Sequence, residues 1–193
     1  MIYCEGERRE ADYFNYFSEI SSKIKLEIES PENGGDSSPT GLLTKALTQL
    51  ESPKPKYELL AEDEVWFVID TDSWGEKIND LRQHCVNKLN WKVAQSNPCF
   101  EIWLYYHFKE FEAFTDMEVS KNWKSFLNEQ VAGGFDSRKH PVLIKTAIKN
   151  AKNKFIAENE AMNIGCTEVF KLSESFYPLV HKKIEDALSK IDT

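Results

Sequence analysis

The chain has 193 residues, of which 41% are hydrophobic and 12% aromatic, and its formal net charge is −8 at pH 7. This length allows a sizeable core that needs neither a disulfide nor a metal to hold it together. No apolar run approaches the roughly 18 residues of a membrane span, and no secretory signal is visible. The four cysteines are scattered without a CxxC pair, so we expect reduced thiols in a cytoplasmic protein.

The charge is distributed unevenly along the chain. Residues 1–137 contain 14 Lys and Arg against 25 Asp and Glu, whereas residues 138–193 contain 10 against 7. An acidic part that could hold cations beside a basic part that could hold phosphates fits a metal-using nuclease. The alternative is an ordinary patchy surface. P-loop, GxGxxG and GxSxG motifs are lacking, and the histidines and cysteines have no zinc-ligand spacing.

Apolar spacing predicts that strands and helices alternate over the first 110 residues. The predicted strands are residues 2–4, 25–29, 65–69 and 91–94. The predicted helices are residues 10–25, 42–50, 75–89 and 98–108, and the clearest loop is 30–41. The run VWFVI at 65–69 lacks alternation, which is typical of a central strand in a parallel sheet covered on both faces. This order of elements predicts a parallel sheet flanked by helices.

Beyond residue 110 the sequence predicts mainly helices. Helical stretches are predicted near residues 119–131, 141–161 and 174–191, and the one candidate strand is 168–170. We therefore predict an α/β fold with a parallel four-stranded sheet flanked by helices. Residues 1–110 would form the α/β core, and residues 111–193 a helical C-terminal part packed on it.

Acidic residues follow two of the predicted strands. Asp70 and Asp72 come directly after the buried third strand, and Glu5 occupies the equivalent place after the first. Ligand sites in open α/β sheets lie beyond the carboxyl ends of the strands, so the three carboxylates would meet if the two strands are neighbours. Like charges gathered in this way favour a bound Mg²⁺ or Mn²⁺. The alternative is that each acid is a solvated turn residue.

Glu101 is a further candidate, because it lies in the first turn of the helix that Pro98 would open. An acid at that position also stabilises the helix dipole, so catalytic and structural interpretations both stand. A basic stretch follows later, with Lys145, Lys149 and Lys152 spaced along one helical face and Lys139 just before them. These four lysines could contact phosphates. They could equally form a solvated face or dock a partner.

Several segments, in this order and at this spacing, resemble the RloB-like (AbiLii) family of abortive-infection proteins. They are Cys4-Glu5-Gly6-Glu7, Ala11-Asp12-Tyr13-Phe14, VWFVIDTD at 65–72 and SNPCFEIWLYYHF at 96–108. The segment NIGCTEV at 163–169 is similar to that family's closing motif, with Ile164-Gly165 where a proline is usual. The resemblance runs from Tyr3 to about Val169.

The resemblance implies a Toprim-like fold and a Toprim-type site. Glu5 would act as general acid or base or help to position metal, Asp70 and Asp72 would bind Mg²⁺ (or Mn²⁺), and Glu101 would complete the site. It implies a nuclease that cleaves DNA or RNA in anti-phage defence, with an ATPase partner and no membrane association. The alternatives are a non-catalytic partner subunit of a defence ATPase, or another Toprim phosphotransfer activity. A homo-oligomer is compatible with all of them.

Overall fold

The computed structural model of the protein describes residues 1–21, 26–29, 35–71, 74–110, 123–131 and 133–189. The strands are β1 (Ile2–Cys4), β2 (Ile28–Glu29), β3 (Val65–Asp70) and β4 (Trp91–Ser96). The helices are α1 (Arg9–Ile20), α2 (Pro39–Glu51), α3 (Glu76–Val86), α4 (Glu101–Tyr105), α5 (Trp123–Gln130), α6 (Ile144–Ala157) and α7 (Val169–Leu188). A 3₁₀ turn (His140–Leu143) precedes α6. In the described part of the chain, no helix combines the length and the apolar character needed to cross a membrane.

The four strands form one sheet in the order β2-β1-β3-β4, and every pairing is parallel. Strand β3 lies between β1 and β4, and its first five residues are buried. The apolar run that predicted a central strand is therefore explained by neighbours on both edges and helices on both faces. The predicted α/β class, with a parallel four-stranded sheet and a helical C-terminal part, is confirmed.

Alternation along the strands divides the core into two layers. On one face, Cys4, Val68 and Ala94 pack with α1, α4 and the C-terminal helices. On the other face, Tyr3 and Phe67 pack with residues of α2 and α3. Successive strand side chains point to opposite faces, so a sheet with apolar residues at consecutive positions must be covered on both sides.

The candidate strand at residues 168–170 is not formed, because α7 begins at Val169. Extended backbone ends one step earlier, where Thr167 forms an isolated antiparallel bridge with Ser96. The Thr167 hydroxyl accepts a hydrogen bond from the Val169 amide at 3.2 Å, within the turn that leads into the helix. Val169 and Phe170 are apolar because α7 buries them, and a short apolar run does not by itself distinguish a strand from a buried helical turn.

Other predicted elements also differ in length from those in the structure. The helix predicted at 98–108 is regular only in α4, and turns with hydrogen bonds between residues i and i+3 flank it, such as Ile102 to Cys99 and Phe108 to Tyr105. The strand predicted at 25–29 is reduced to β2 among the described residues. Residues 22–25, where the first helix was predicted to end, lie outside the described part of the chain, as do 119–122 at the start of the fifth.

Strand β2 carries a buried carboxylate that is held by cations. The Glu29 carboxylate forms ion pairs with Lys56 Nζ at 2.7 Å and Lys45 Nζ at 2.9 Å, and it accepts a hydrogen bond from the Tyr57 hydroxyl at 2.9 Å. Burial alone would raise the Glu29 pKa, but the hydrogen bonds from Lys56 and Lys45 outweigh it and lower the pKa to about 2. Because the folded-state pKa is depressed, this carboxylate stabilises the fold above its unfolded pKa near 4.5, and the stabilisation is lost as the pH falls towards 2.

We expect Glu29→Gln to lower the melting temperature at pH 7 by about 3 °C or more, since a neutral amide attracts neither lysine. Between pH 5 and 2.5 the melting temperature of the variant should fall less steeply than that of the wild type. Thermal denaturation followed by circular dichroism over this range measures both effects. Parallel curves for the two proteins would show that Glu29 does not contribute to acid sensitivity.

Candidate active site

The candidate site is built where β1 and β3 end side by side. Cys4 of β1 is in register with Val68 of β3, and the Glu5 amide donates to the Val68 carbonyl at 3.1 Å. Asp70 is the last residue of β3. Because the strands are parallel and adjacent, Glu5 and Asp70 lie together at the carboxyl edge of the sheet, which is where α/β folds place their ligand sites.

The Glu5 carboxylate is held in a fixed orientation by two donors. Its Oε2 accepts the Asp70 backbone amide at 2.8 Å, and its Oε1 accepts the Trp74 indole N–H at 2.7 Å. Both oxygens of this carboxylate are thus engaged by donors that lie at or just beyond the end of β3. Trp74 was not identified from the sequence, although its position four residues after Asp70 was visible there.

Asp72, the third predicted metal ligand, lies outside the described residues together with Ser73. Within the described ranges, no group of three or more His, Cys, Asp or Glu side chains is arranged to hold a metal ion. The structure thus brings two of the three predicted ligands together and gives no position for the other. The metal site remains a prediction.

Glu101 lies beside this pair, at the start of α4, and is 4% exposed. Arg9 Nη1 donates to Glu101 Oε1 at 3.1 Å, and the Arg9 side chain is 41% exposed. Burial raises the pKa of the Cys99 thiol, and the nearby carboxylates of Glu101 and Asp70 raise it further. A raised pKa disfavours the thiolate form of Cys99, and the thiolate is the nucleophilic form of cysteine.

The carboxylates line a cleft of about 420 Å³, which we call the carboxylate cleft. Its lining residues are Glu5, Gly6, Glu7, Arg8, Arg9, Glu10, Ser37, Asp70, Phe100 and Glu101. Five acids face two arginines there, so the cleft favours a cation. Arg9 and Glu10 were not recognised from the sequence, because their position at the start of a helix accounted for them. The signal that could have found them is their proximity in sequence to Glu5.

Gly6 allows the Glu10 carboxylate to reach this cleft. Glu10 is 5% exposed, and a Cβ added to Gly6 would lie 1.9 Å from Glu10 Oε2 and 2.4 Å from its Cδ. No real Cβ tolerates such distances, so any larger residue at position 6 must displace the carboxylate. These atoms are the end of a flexible side chain, so a larger residue at position 6 is accommodated by a shift of the Glu10 carboxylate.

A chain of polar contacts fixes the backbone just after Asp70. The Thr71 amide donates to the carbonyls of Ser96 and Pro98, both at 2.9 Å, and its hydroxyl donates to Ser96 at 2.8 Å. Gln95 Nε2 donates to the Thr71 hydroxyl at 2.7 Å, and Arg82 Nη2 donates to Gln95 Oε1 at 2.8 Å. The residue between Asp70 and Asp72 is therefore anchored to β4 and α3.

The late segment at 163–168 completes this edge of the sheet. The Asn97 amide donates to the Cys166 carbonyl, and the Gly165 amide donates to the Asn97 carbonyl, both at 2.8 Å. The hydroxyls of Ser96 and Thr167 lie 2.7 Å apart. The late motif is accordingly a structural partner of the Ser96-Asn97-Pro98 segment. Their pairing could not be read from two separate stretches of sequence.

The predicted basic residues lie elsewhere. Lys139, Lys145, Lys149 and Lys152 are exposed, and none of them is among the described residues that line the carboxylate cleft. Lys152 Nζ pairs with Glu174 at 2.7 Å, which reduces its availability to a phosphate. The structure therefore neither links these lysines to the cleft nor tests their role.

A larger cavity of about 580 Å³ lies beside α2 and β2, but it does not compete as an active site. Its charged lining includes Glu29, Lys45 and Lys56, and these three residues are engaged with one another. The carboxylate cleft is smaller, yet it gathers several carboxylates at the carboxyl edge of the sheet. The carboxylate cleft is therefore the better candidate for the active site.

A comparison with known families identifies the family of this chain. The family model for RloB-like proteins matches residues 1–176, and the chain belongs to that family. The family predicted from the motifs is thus confirmed. Neither the curated proteins nor the solved structures contain a match to this chain.

Proposed function

We propose that this protein is a Toprim-type, metal-dependent nuclease that hydrolyses phosphodiester bonds of DNA or RNA. The observation that carries the proposal is the meeting of Glu5 and Asp70 at the carboxyl edge of a parallel sheet, 2.8 Å apart between carboxylate oxygen and backbone amide. The resemblance to the RloB-like family adds a role in anti-phage defence and an ATPase partner. Both belong to the proposal.

The donor set fits a hard divalent cation. Glu5, Asp70 and Asp72 would hold Mg²⁺ or Mn²⁺, because both ions prefer carboxylate oxygens and keep several waters. Bound there, such an ion would polarise the phosphate and lower the pKa of a coordinated water. The excess of acids that line this cleft supports the assignment.

Residues of the chain would supply the rest of the chemistry. Trp74 fixes the Glu5 carboxylate so that it can position the ion or exchange a proton with the attacking water. Glu101 holds the Arg9 guanidinium at the wall of the cleft, where that charge can stabilise a phosphate oxygen as the phosphoryl group reacts. In this proposal Glu101 acts through Arg9, which sharpens the role that the sequence assigned to it.

The decisive experiment is a cleavage assay with the purified protein. We expect cleavage of DNA or RNA oligonucleotides in Mg²⁺ or Mn²⁺ and none in excess chelator, both for the protein alone and with the proposed ATPase partner added. Glu5→Gln should abolish the activity, since the amide keeps the volume but loses the charge. Binding to the ATPase without cleavage under any of these conditions would favour the non-catalytic partner subunit instead.

Gly6→Ala should lower the cleavage rate by about tenfold or more, because small displacements at a catalytic site have large effects. The lower rate would be caused by displacement of the Glu10 carboxylate, since the added Cβ would lie 1.9 Å from Glu10 Oε2. The same substitution in a Glu10→Ala background should have little further effect. Rates measured for the four proteins of this cycle test the explanation, and additive losses would contradict it.

A further inference from the structure

A second cleft, of about 290 Å³, adjoins the carboxylate cleft. Arg8 and Arg9 line both of them. The remaining lining residues of the second cleft are Asp12, Leu104, Phe135 and Ser137. We call it the arginine cleft, because these two arginines form the wall that it shares with the carboxylate cleft.

The two clefts differ in charge. Five acids line the carboxylate cleft, whereas Asp12 is the one acid among the described lining residues of the arginine cleft, which has two arginines. A cation is therefore favoured on one side of the shared wall and an anion on the other. Ser137 adds a hydroxyl that can donate to an anion, and Leu104 and Phe135 supply apolar surface.

Arg8 and Arg9 differ in the contacts that their guanidinium groups already make. Arg9 is held by Glu101 through one nitrogen at 3.1 Å, so its orientation is set while its other N–H groups remain available. Arg8 is exposed, and its guanidinium has no hydrogen bond or ion pair within the described part of the chain. A guanidinium of this kind matches the geometry of a phosphate and gains by binding one.

We propose that the arginine cleft binds the phosphate next to the scissile phosphodiester, with Arg8 as its main contact. This inference rests on the proposed nuclease function. A strand with one phosphate at the carboxylates must place a neighbouring phosphate nearby, and the shared wall offers it Arg8 and Arg9. The carboxylate cleft repels phosphates without its cation, so a cationic subsite beside it would hold the strand in register.

The test uses a short oligonucleotide with a single cleavable linkage, in Mg²⁺. One series carries a neutral methylphosphonate in place of each flanking phosphate in turn. For the wild type, one of these replacements should lower kcat/KM about tenfold, the size expected for a charge-assisted hydrogen bond. Arg8→Gln should cause a similar loss with the all-phosphate substrate, mainly through KM, and should abolish the sensitivity to that replacement.

Lys182→Gln is the matched control, since it removes one exposed positive charge on α7, outside both clefts. It should retain the wild-type sensitivity to the methylphosphonate. If the wild type cleaves but Arg8→Gln is as fast and as sensitive as the wild type, the arginine cleft is not the subsite and the nuclease proposal stands. If the wild type cleaves nothing, the nuclease proposal fails and the subsite with it.

Discussion

Asp70→Asn should reduce cleavage by about 10³-fold or more while the fold is retained. The substitution removes one negative charge from the proposed metal site at nearly constant volume, and metal-dependent hydrolysis depends on that charge. The Asp70 backbone amide, which donates to Glu5 at 2.8 Å, is untouched, so Glu5 should keep its orientation. Initial rates in Mg²⁺ and the far-ultraviolet circular dichroism of both proteins measure the effect and its specificity.

Asp80→Asn is the control for this experiment, because Asp80 is an exposed acid on α3. It should cleave at the wild-type rate. By linkage, Mg²⁺ at about 100 times its dissociation constant should stabilise the wild type and Asp80→Asn by about 2.7 kcal/mol, but not Asp70→Asn. Full cleavage by Asp70→Asn, or an equal stabilisation of all three proteins, would remove Asp70 from the metal site.

The sequence predicted the parts of the fold that depend on local pattern. The unbroken apolar run in β3 indicated a strand covered on both faces, and β3 indeed lies between β1 and β4. Glu5 and Asp70 were expected to meet if the first and third strands are neighbours, since parallel neighbours end at the same edge. The structure adds that β1 and β3 are in fact neighbours, which the sequence pattern alone did not establish.

Other features depend on contacts between residues that are far apart in the chain, and the spacing of apolar residues does not predict such contacts. The pairing of Asn97 with Cys166 joins two motifs that looked separate, and the bond from Arg9 to Glu101 spans 92 positions. Trp74 could be seen in the sequence, but its bond to Glu5 depends on how the chain turns after β3. Side chains near a site acquire their roles from tertiary packing, so sequence reasoning recognised the strand-end acids and missed the residues that support them.

The ion pairs of Glu168 should contribute to the stability of the whole fold. Glu168 is 8% exposed at its side chain and pairs with Arg82, whose side chain is 32% exposed, and with Lys171 Nζ at 2.9 Å. Its Oε2 also accepts the Gln95 amide at 3.3 Å. Arg82 thus joins α3 to the start of α7 and, through Gln95, to Thr71 beside the carboxylate edge.

We expect Arg82→Met to destabilise the protein by about 2–3 kcal/mol, since it leaves the Glu168 charge buried with Lys171 as its remaining cation. Urea denaturation at pH 7 measures the change. Adding Glu168→Gln should recover much of the loss, because removing both charges avoids an unpaired one.

Arg138→Met is the control: its side chain is 85% exposed beside Asp136, so its denaturation curve should match the wild type. If Arg82→Met is as stable as that control, the link between α3, β4 and α7 contributes little. A slower cleavage rate in the folded variant would show that the link also orders Thr71.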